Sequence, residues 1–322
     1  MTRFPSRALV IGSQGNIGSR LAPYLRSIGY DVFEADLKPG WKTNYVMADI
    51  TQPLDLLPAF EWGPDVVFLC AAVVGRMPSA QAAGLAVATN VSGINNVLQL
   101  CKRVGAKCVF FSSSEIYGPT DGMMDDANAT PRPNNRYGLT KLIGEQLVEY
   151  EVRAEGLDAV IVRPCMFYDE LETVGEHRSA MIRFASNLAR GNPIEVHRGT
   201  ARGWLHIADA VRAIEAAGRL EGFSTINIGH PDVRTMEELA EMIRAELDAD
   251  PGLIKLRDQP TGMTLVKRPT LDRQRNLLGF EPSISLVEGV KRVCDVQRKE
   301  LGEVAVRPAA GRGRRRSELA SR

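Results

Sequence analysis

The stretch ALVIGSQGNIGSRL, residues 8–21, decides the fold. Ala8 to Ile11 form an unbroken apolar run, as in a strand buried on both faces. The run stops at glycine, and apolar residues then return at helical spacing. Ile17, Leu21, Tyr24, Leu25 and Ile28 share one side of a helix predicted over 16–29. Between strand and helix, GSQGNIG sets Gly12, Gly15 and Gly18 at regular intervals, with Asn16 and Ile17 in the same turn. Glycine there permits a tight turn and lets the backbone approach a pyrophosphate resting on the helix N-terminus. Glycine-rich turns are common; the strand before this one and the helix after it make it informative.

The alternation continues outward. DVFEAD (31–36) reads as a second strand, followed by a short one near YVMADI, and DVVFLCAA (65–72) as another buried one. A long helix is predicted across about 80–104, a strand at KCVFFSSS (107–114), a helix over 136–156 and a strand at DAVIVRP (158–164). Buried strands alternating with helices imply parallel βαβ units, hence an α/β fold with a doubly wound parallel sheet. Ligands of such sheets bind beyond the carboxyl ends of the strands, where the glycine turn and the serine cluster both lie. After Pro164 the regularity weakens, with helices expected at about 178–190, 235–247 and 285–301.

This pattern predicts a cofactor-binding domain, 1–163 plus about 206–229. A smaller C-terminal α/β substrate-binding region takes 164–205 plus 230–302. A basic tail, 303–322, carries Arg312, Arg314, Arg315 and Arg316 and reads as disordered. No internal repeat is visible.

Asp36 ends the second strand, eighteen residues after Gly18. A carboxylate there can accept from a ribose 2′-hydroxyl and repels a 2′-phosphate, which favours NAD over NADP. The 322 residues carry a net charge of +1, against nucleic acid as the main partner. No apolar run is long enough to span a bilayer, and the N-terminus reads as a first strand, not a signal peptide. Cys70, Cys101, Cys108, Cys165 and Cys294 are scattered without a CxxC pair, which fits a reduced, cytoplasmic setting. The four histidines lack ligand spacing, so no metal site is expected.

In RYGLTK, Tyr137 and Lys141 lie four apart and share a helix face. A phenol titrates near 10. A nearby ammonium and a cationic nicotinamide ring would favour the phenolate, so Tyr137 could take a proton from a hydroxyl as hydride leaves the same carbon. Lys141 would also hold the nicotinamide ribose.

These residues together resemble the extended short-chain dehydrogenase/reductase family, the NAD-dependent epimerases and dehydratases of nucleotide sugars, which have a Rossmann-like sheet. The resemblance runs to about residue 300 through GSQGNIG, Asp36, Asp49 and Ile50, CAA at 70–72, Asn90, SSSEIYG, YGLTK, IVRP, RGWLHIADA and LLGFEPSISLVEGV. It implies Ser113 as the serine that hydrogen-bonds the reacting oxygen, with Tyr137 as acid/base. Asp49, Ile50, Ala71, Ala72, Asn90 and Pro164 are implied at the cofactor. Ser114, Met166, Arg202 and Arg268 are implied on the substrate side, the two arginines suiting a diphosphate. Tyr117 reads as a packing residue. Glutamate at 115 is similar to dehydratases and decarboxylases of the family, where it could take the C5 proton or assist loss of CO2. RPCMFYD departs from the family's RPxNxYG, with Met166 and Asp169 in place of asparagine and glycine.

The resulting expectation is a nucleotide-sugar epimerase working through transient C4 oxidation by tightly held NAD. A dehydratase or decarboxylase using Glu115 stands second, followed by a reductase of a non-sugar substrate and a non-catalytic NAD-binding regulator. The resemblance also implies a homodimer through a four-helix interface of the helices near 80–104 and 136–155.

Overall fold

The computed structural model describes residues 6–120, 123–172, 179–258 and 264–306. The strands are β1 (Arg7–Ile11), β2 (Asp31–Asp36), β3 (Tyr45–Met47), β4 (Val66–Leu69), β5 (Lys107–Phe111), β6 (Met123–Met124), β7 (Ala159–Pro164) and β8 (Phe167–Tyr168). They continue with β9 (Ile194–His197), β10 (Ala201–Gly203), β11 (Leu205–His206), β12 (Ser224–Ile228), β13 (Val233–Thr235), β14 (Ile254–Arg257) and β15 (Val266–Pro269). The helices are α1 (Gly18–Ser27), α2 (Leu57–Glu61), α3 (Arg76–Gln81), α4 (Ala83–Val87), α5 (Ile94–Val104) and α6 (Arg136–Glu155). The rest are α7 (Ala180–Ala189), α8 (Ile207–Arg219), α9 (Met236–Leu247), α10 (Asp272–Leu278) and α11 (Leu286–Val306). The arginines of the tail lie outside the described residues.

Seven parallel strands form the main sheet in the order β12-β7-β5-β4-β1-β2-β3. Alternate residues of each strand feed opposite cores. Ala8, Val10, Phe68, Val109 and Val162 pack under α1 and α8, with Leu21, Leu25, Ile214 and Ala217. Leu9, Ile11, Val67, Phe110 and Ile161 pack under α2, α5 and α6, with Phe60, Val97, Leu98 and Val148. A third cluster joins α7, α9 and α11 around Trp204 and Tyr168. Burial on both faces explains why these strands read as continuous apolar runs.

Register aligns the strand ends: Ile11 pairs with Ala35 and Leu69, Leu69 with Phe110, and Phe111 with Val162. The glycine turn, Ala71, the serines and Pro164 therefore share one edge.

One element differs from expectation. The helix predicted across 80–104 is broken. α3 and α4 meet at Ala82, whose backbone leaves the helical region at φ −115° and ψ 61°. A π-turn over Ala88–Gly93 then leads into α5. The turn has local causes. Asn90 accepts from the Val73 N–H at 2.8 Å and donates to the Val73 carbonyl and the Thr140 hydroxyl. At Gly93 a Cβ would stand 2.6 Å from the Ile50 side chain. π-turns inside helices frequently sit at functional sites.

Candidate active site

The glycine turn is built for close approach. Gly12 has φ +84°, and a Cβ there would lie 2.6 Å from the Ala71 nitrogen. A Cβ on Gly18 would lie 2.2 Å from the Gly12 carbonyl oxygen. At Gly15 it would meet only that oxygen, at 3.3 Å, so this side of the turn is open. α1 begins beside it with no side-chain cap and no acid in its first turn; the Ser19, Arg20 and Leu21 N–H groups turn back onto the Gly15 and Ile17 carbonyls, so no side-chain charge offsets the positive end of the helix at the turn. The buried Ser13 hydroxyl has no partner among the described residues. Asp36 accepts from the Gln14 and Lys38 N–H groups at 2.8 and 3.1 Å, which fixes its carboxylate beside the turn. An open turn, an uncapped helix and an unpartnered hydroxyl fit a dinucleotide pyrophosphate, and the fixed carboxylate fits a ribose.

Asp49 turns its carboxylate onto the Thr51 N–H, Ile50 packs against Gly93, and Ala71 and Ala72 follow β4 beside Gly12. Asn90 is wholly buried and its amide is spent on Val73 and Thr140. It therefore shapes the loop after β4.

α6 brings the second half of the site. Asn135 caps it by accepting from the Gly138 N–H at 2.9 Å. A Cβ on Gly138 would be 2.5 Å from the Glu115 carbonyl oxygen, so only glycine lets this turn lie against 115. Tyr137 is thereby set against Ser113, whose hydroxyl it reaches. Ser113 also accepts from the Glu115 N–H at 3.2 Å. Lys141 donates to the Phe111 carbonyl at 2.7 Å, and its ammonium lies 6.0 Å from the Tyr137 ring centre.

Burial pushes the Tyr137 phenol up to about 12; Ser113 opposes the shift and the charge of Glu115 adds to it. Burial brings Lys141 down to about 8, against Cys70 and Glu145. In the chain alone, burial therefore sets the direction of the phenol's shift. The cationic nicotinamide ring is the remaining group that can lower it.

Glu115 is the most heavily partnered side chain of the site. It accepts from Lys267, from Arg76 at 3.0 Å and from Asn135 at 2.8 Å. Burial alone would raise its pKa, but Lys267, Arg76 and Asn135 bring it down to about 2. Arg202 stands near and donates to the carbonyls of Ala201, Thr264 and Leu265. Burial brings it down to about 10, partly offset by Glu115. Arg202 pairs in register with Lys267 across β10 and β15.

The alternation of β15 corrects one assignment. Lys267 is buried toward Glu115, whereas its neighbour Arg268 is exposed. Arg268 therefore points away from the site, and Lys267 is the inward cation that the sequence reading missed. Ser114, expected on the substrate side, is buried and donates to the Cys165 carbonyl at 3.2 Å. Met166 packs on the third cluster. Tyr117 bonds Asn227 at 2.9 Å and receives Arg163 at 2.8 Å, in a buried network with Glu145. Arg76 and Asn135 were also missed; only Asn135 carried a signal, as an asparagine before a helix.

Comparison with known proteins identifies the family. The profile of the NAD dependent epimerase/dehydratase family matches residues 8–229. The chain is 26% identical over 310 residues to a UDP-N-acetyl-alpha-D-glucosaminuronate decarboxylase of Bacillus cytotoxicus, covering 88% of this chain and 95% of that protein. It is 30% identical over 300 residues to a putative UDP-glucose 4-epimerase of Methanocaldococcus jannaschii, covering 89% and 97%. Among solved structures, MoeE5 in complex with UDP-glucuronic acid and NAD superposes with a TM-score of 0.81 at 25% identity, covering 91% of this chain and 99% of that one. The chain belongs to the NAD dependent epimerase/dehydratase family, and is an NAD-dependent enzyme of nucleotide-sugar type.

Proposed function

We propose that this protein is a nucleotide-sugar 4-epimerase acting through transient oxidation of the sugar at C4. A bound NAD would supply the hydride acceptor and donor for C4, and the residues of the glycine turn with Asp36 would hold it. Tyr137 takes the proton of the C4 hydroxyl, and Ser113 hydrogen-bonds the same oxygen as it becomes a carbonyl. Lys141, anchored on Phe111, keeps a positive charge beneath the phenol. Return of hydride to the other face of the carbonyl, with Tyr137 giving the proton back, inverts C4. No net oxidant is consumed.

The observation that carries epimerisation is the state of Glu115. Elimination of water needs a base for the C5 proton, and this carboxylate is held ionised by Lys267, Arg76 and Asn135 at a pKa of about 2. A base so weak takes a carbon-bound proton poorly.

One observation favours a second reading. Lys267, Arg76 and Arg202 gather around the single carboxylate of Glu115, an excess of positive charge suited to a sugar acid as well as to a diphosphate. A 4-keto sugar acid has its carboxylate β to the ketone and can lose CO2 without a base. Decarboxylation is therefore the alternative outcome.

Cofactor and sugar sites are proposed to divide between 1–163 plus about 206–229 and 164–205 plus 230–302. Exposed Leu85 and Val87 on α4 and Leu139 and Tyr150 on α6 support a homodimer, which sedimentation velocity reads directly. A cytoplasmic location is proposed from the five free thiols.

The test is mass spectrometry of the NAD-loaded protein incubated with UDP-, dTDP-, GDP- and CDP-sugars, sugar acids included. The expected result is one substrate with unchanged mass and a shifted retention time, absent in Tyr137→Phe. Loss of CO2 selects the second reading, loss of water restores Glu115 as a base, and no conversion in any pool overturns the sugar-nucleotide reading.

A further inference from the structure

Residues 169–172, DELE, follow β8 and carry three carboxylates in four positions. Each one is tied to a different element. Asp169, nearly buried, receives Arg20 at 2.5 Å. Glu170 pairs with Nε2 of His206 at 2.7 Å, while Nδ1 of that ring caps α8 by accepting from the Ala208 N–H. The bond to His206 comes first among the causes that bring Glu170 down to about 2, with burial opposing. Glu172 accepts from the Asn16 amide at 3.4 Å and from the Ser179 hydroxyl at 2.8 Å, at the N-cap of α7.

Two of these ties end on the glycine turn and the first turn of α1. Asn16 lies inside GSQGNIG, and Arg20 is the third residue of the helix on which the pyrophosphate would rest. Asp169 and Glu172 thus hold a short strap across that helix N-terminus. Its far end is fixed by β8, which pairs with β11 through Leu205–Phe167 and His206–Tyr168. Free carboxylates so near a pyrophosphate would repel it; pairing Asp169 with a guanidinium removes most of that cost.

We propose that Arg20 and Asp169 form a clasp that retains the dinucleotide: the cofactor leaves only when this pair parts and the strap lifts from the glycine turn. The proposal rests on the preceding reading for its purpose, since a cycle of transient oxidation fails if NAD departs between the two hydride transfers. Arg20 and Asp169 are positioning residues, not catalytic ones.

The test needs no sugar. The protein is loaded with NADH and chased with excess NAD⁺, and release is followed by nicotinamide fluorescence. Arg20→Met and Asp169→Asn should each speed release about tenfold, and the double variant no more than either alone, as for residues acting as one unit. The exchanged pair, Arg20→Asp with Asp169→Arg, should recover to within about threefold of the parent rate, which separates loss of the clasp from general damage. Release unchanged in the single variants overturns the clasp. So does an effect that multiplies in the double variant, since the two side chains would then act apart. Failure of sugar conversion in the previous experiment leaves this readout intact, so the two proposals fail separately.

Discussion

At the scale of single residues, the question is what Glu115 does. A glutamate beside the serine and tyrosine suggests a base when read in one dimension. In three dimensions its partners arrive from 39 and 152 positions away, Arg76 and Lys267. Nothing local announces either, so the role of Glu115 was not legible in SSSEIYG, whereas the pairing of Tyr137 with Lys141 was legible because it lies within one helical turn. Glu115 acts as the resident counter-ion that keeps two cations facing the site. Glu115→Gln keeps the hydrogen-bonding shape and removes the charge. Turnover is expected to fall by less than about tenfold, while stability falls by about 3 kcal/mol because Lys267 loses its buried partner. Urea unfolding and steady-state rates read both quantities. A drop in kcat of two orders of magnitude at unchanged KM would mean that Glu115 carries a proton after all.

At the scale of elements, strand register decides which side chains reach the chemistry. The strands and helices of the main sheet were legible because burial on both faces leaves unbroken apolar runs. The break between α3 and α5 was not, since Ala80 to Ala83 are good helix formers and the turn depends on Asn90 gripping Val73. The face of β15 was not legible either. In VKRP two adjacent cations point to opposite sides, and only the pairing of Arg202 with Lys267 settles which one enters. Lys267→Ala is therefore expected to raise KM for the nucleotide sugar by at least about tenfold, as loss of a charge-assisted contact should. Arg268→Ala should leave KM within about twofold, in line with an exposed substitution. Equal effects of the two would place the strand in the other register.

At the scale of the whole molecule, the glycine turn, the serine edge and the C-terminal region are joined largely by carboxylates that must stay charged. Glu115 ties the end of β5 to β15 through Lys267, Glu170 ties the segment after β8 to the cap of α8, and Asp169 ties that segment to α1. The departure at the end of RPCMFYD, which in sequence only weakens a match, supplies the last of these ties through Asp169. Glu115 and Glu170 are both held well below the ordinary glutamate range, at about 2: Glu115 because its cations overcome burial, Glu170 chiefly through His206. The sign of the linkage follows. A carboxyl with a depressed folded pKa binds fewer protons folded than unfolded, so its stabilisation is complete above pH 4.5 and disappears as pH falls toward 2. Unfolding free energy should therefore hold steady from neutrality to about pH 5 and then fall steeply, by roughly 1.4 kcal/mol per pH unit for each group. Urea titrations at pH 7, 5, 4 and 3 measure the slope. Glu115→Gln should remove one group's share of it while starting from a lower plateau, and His206→Asn should weaken the share of Glu170. A slope unchanged in both variants would show that other carboxyls control acid unfolding and that these bridges do not hold the regions together.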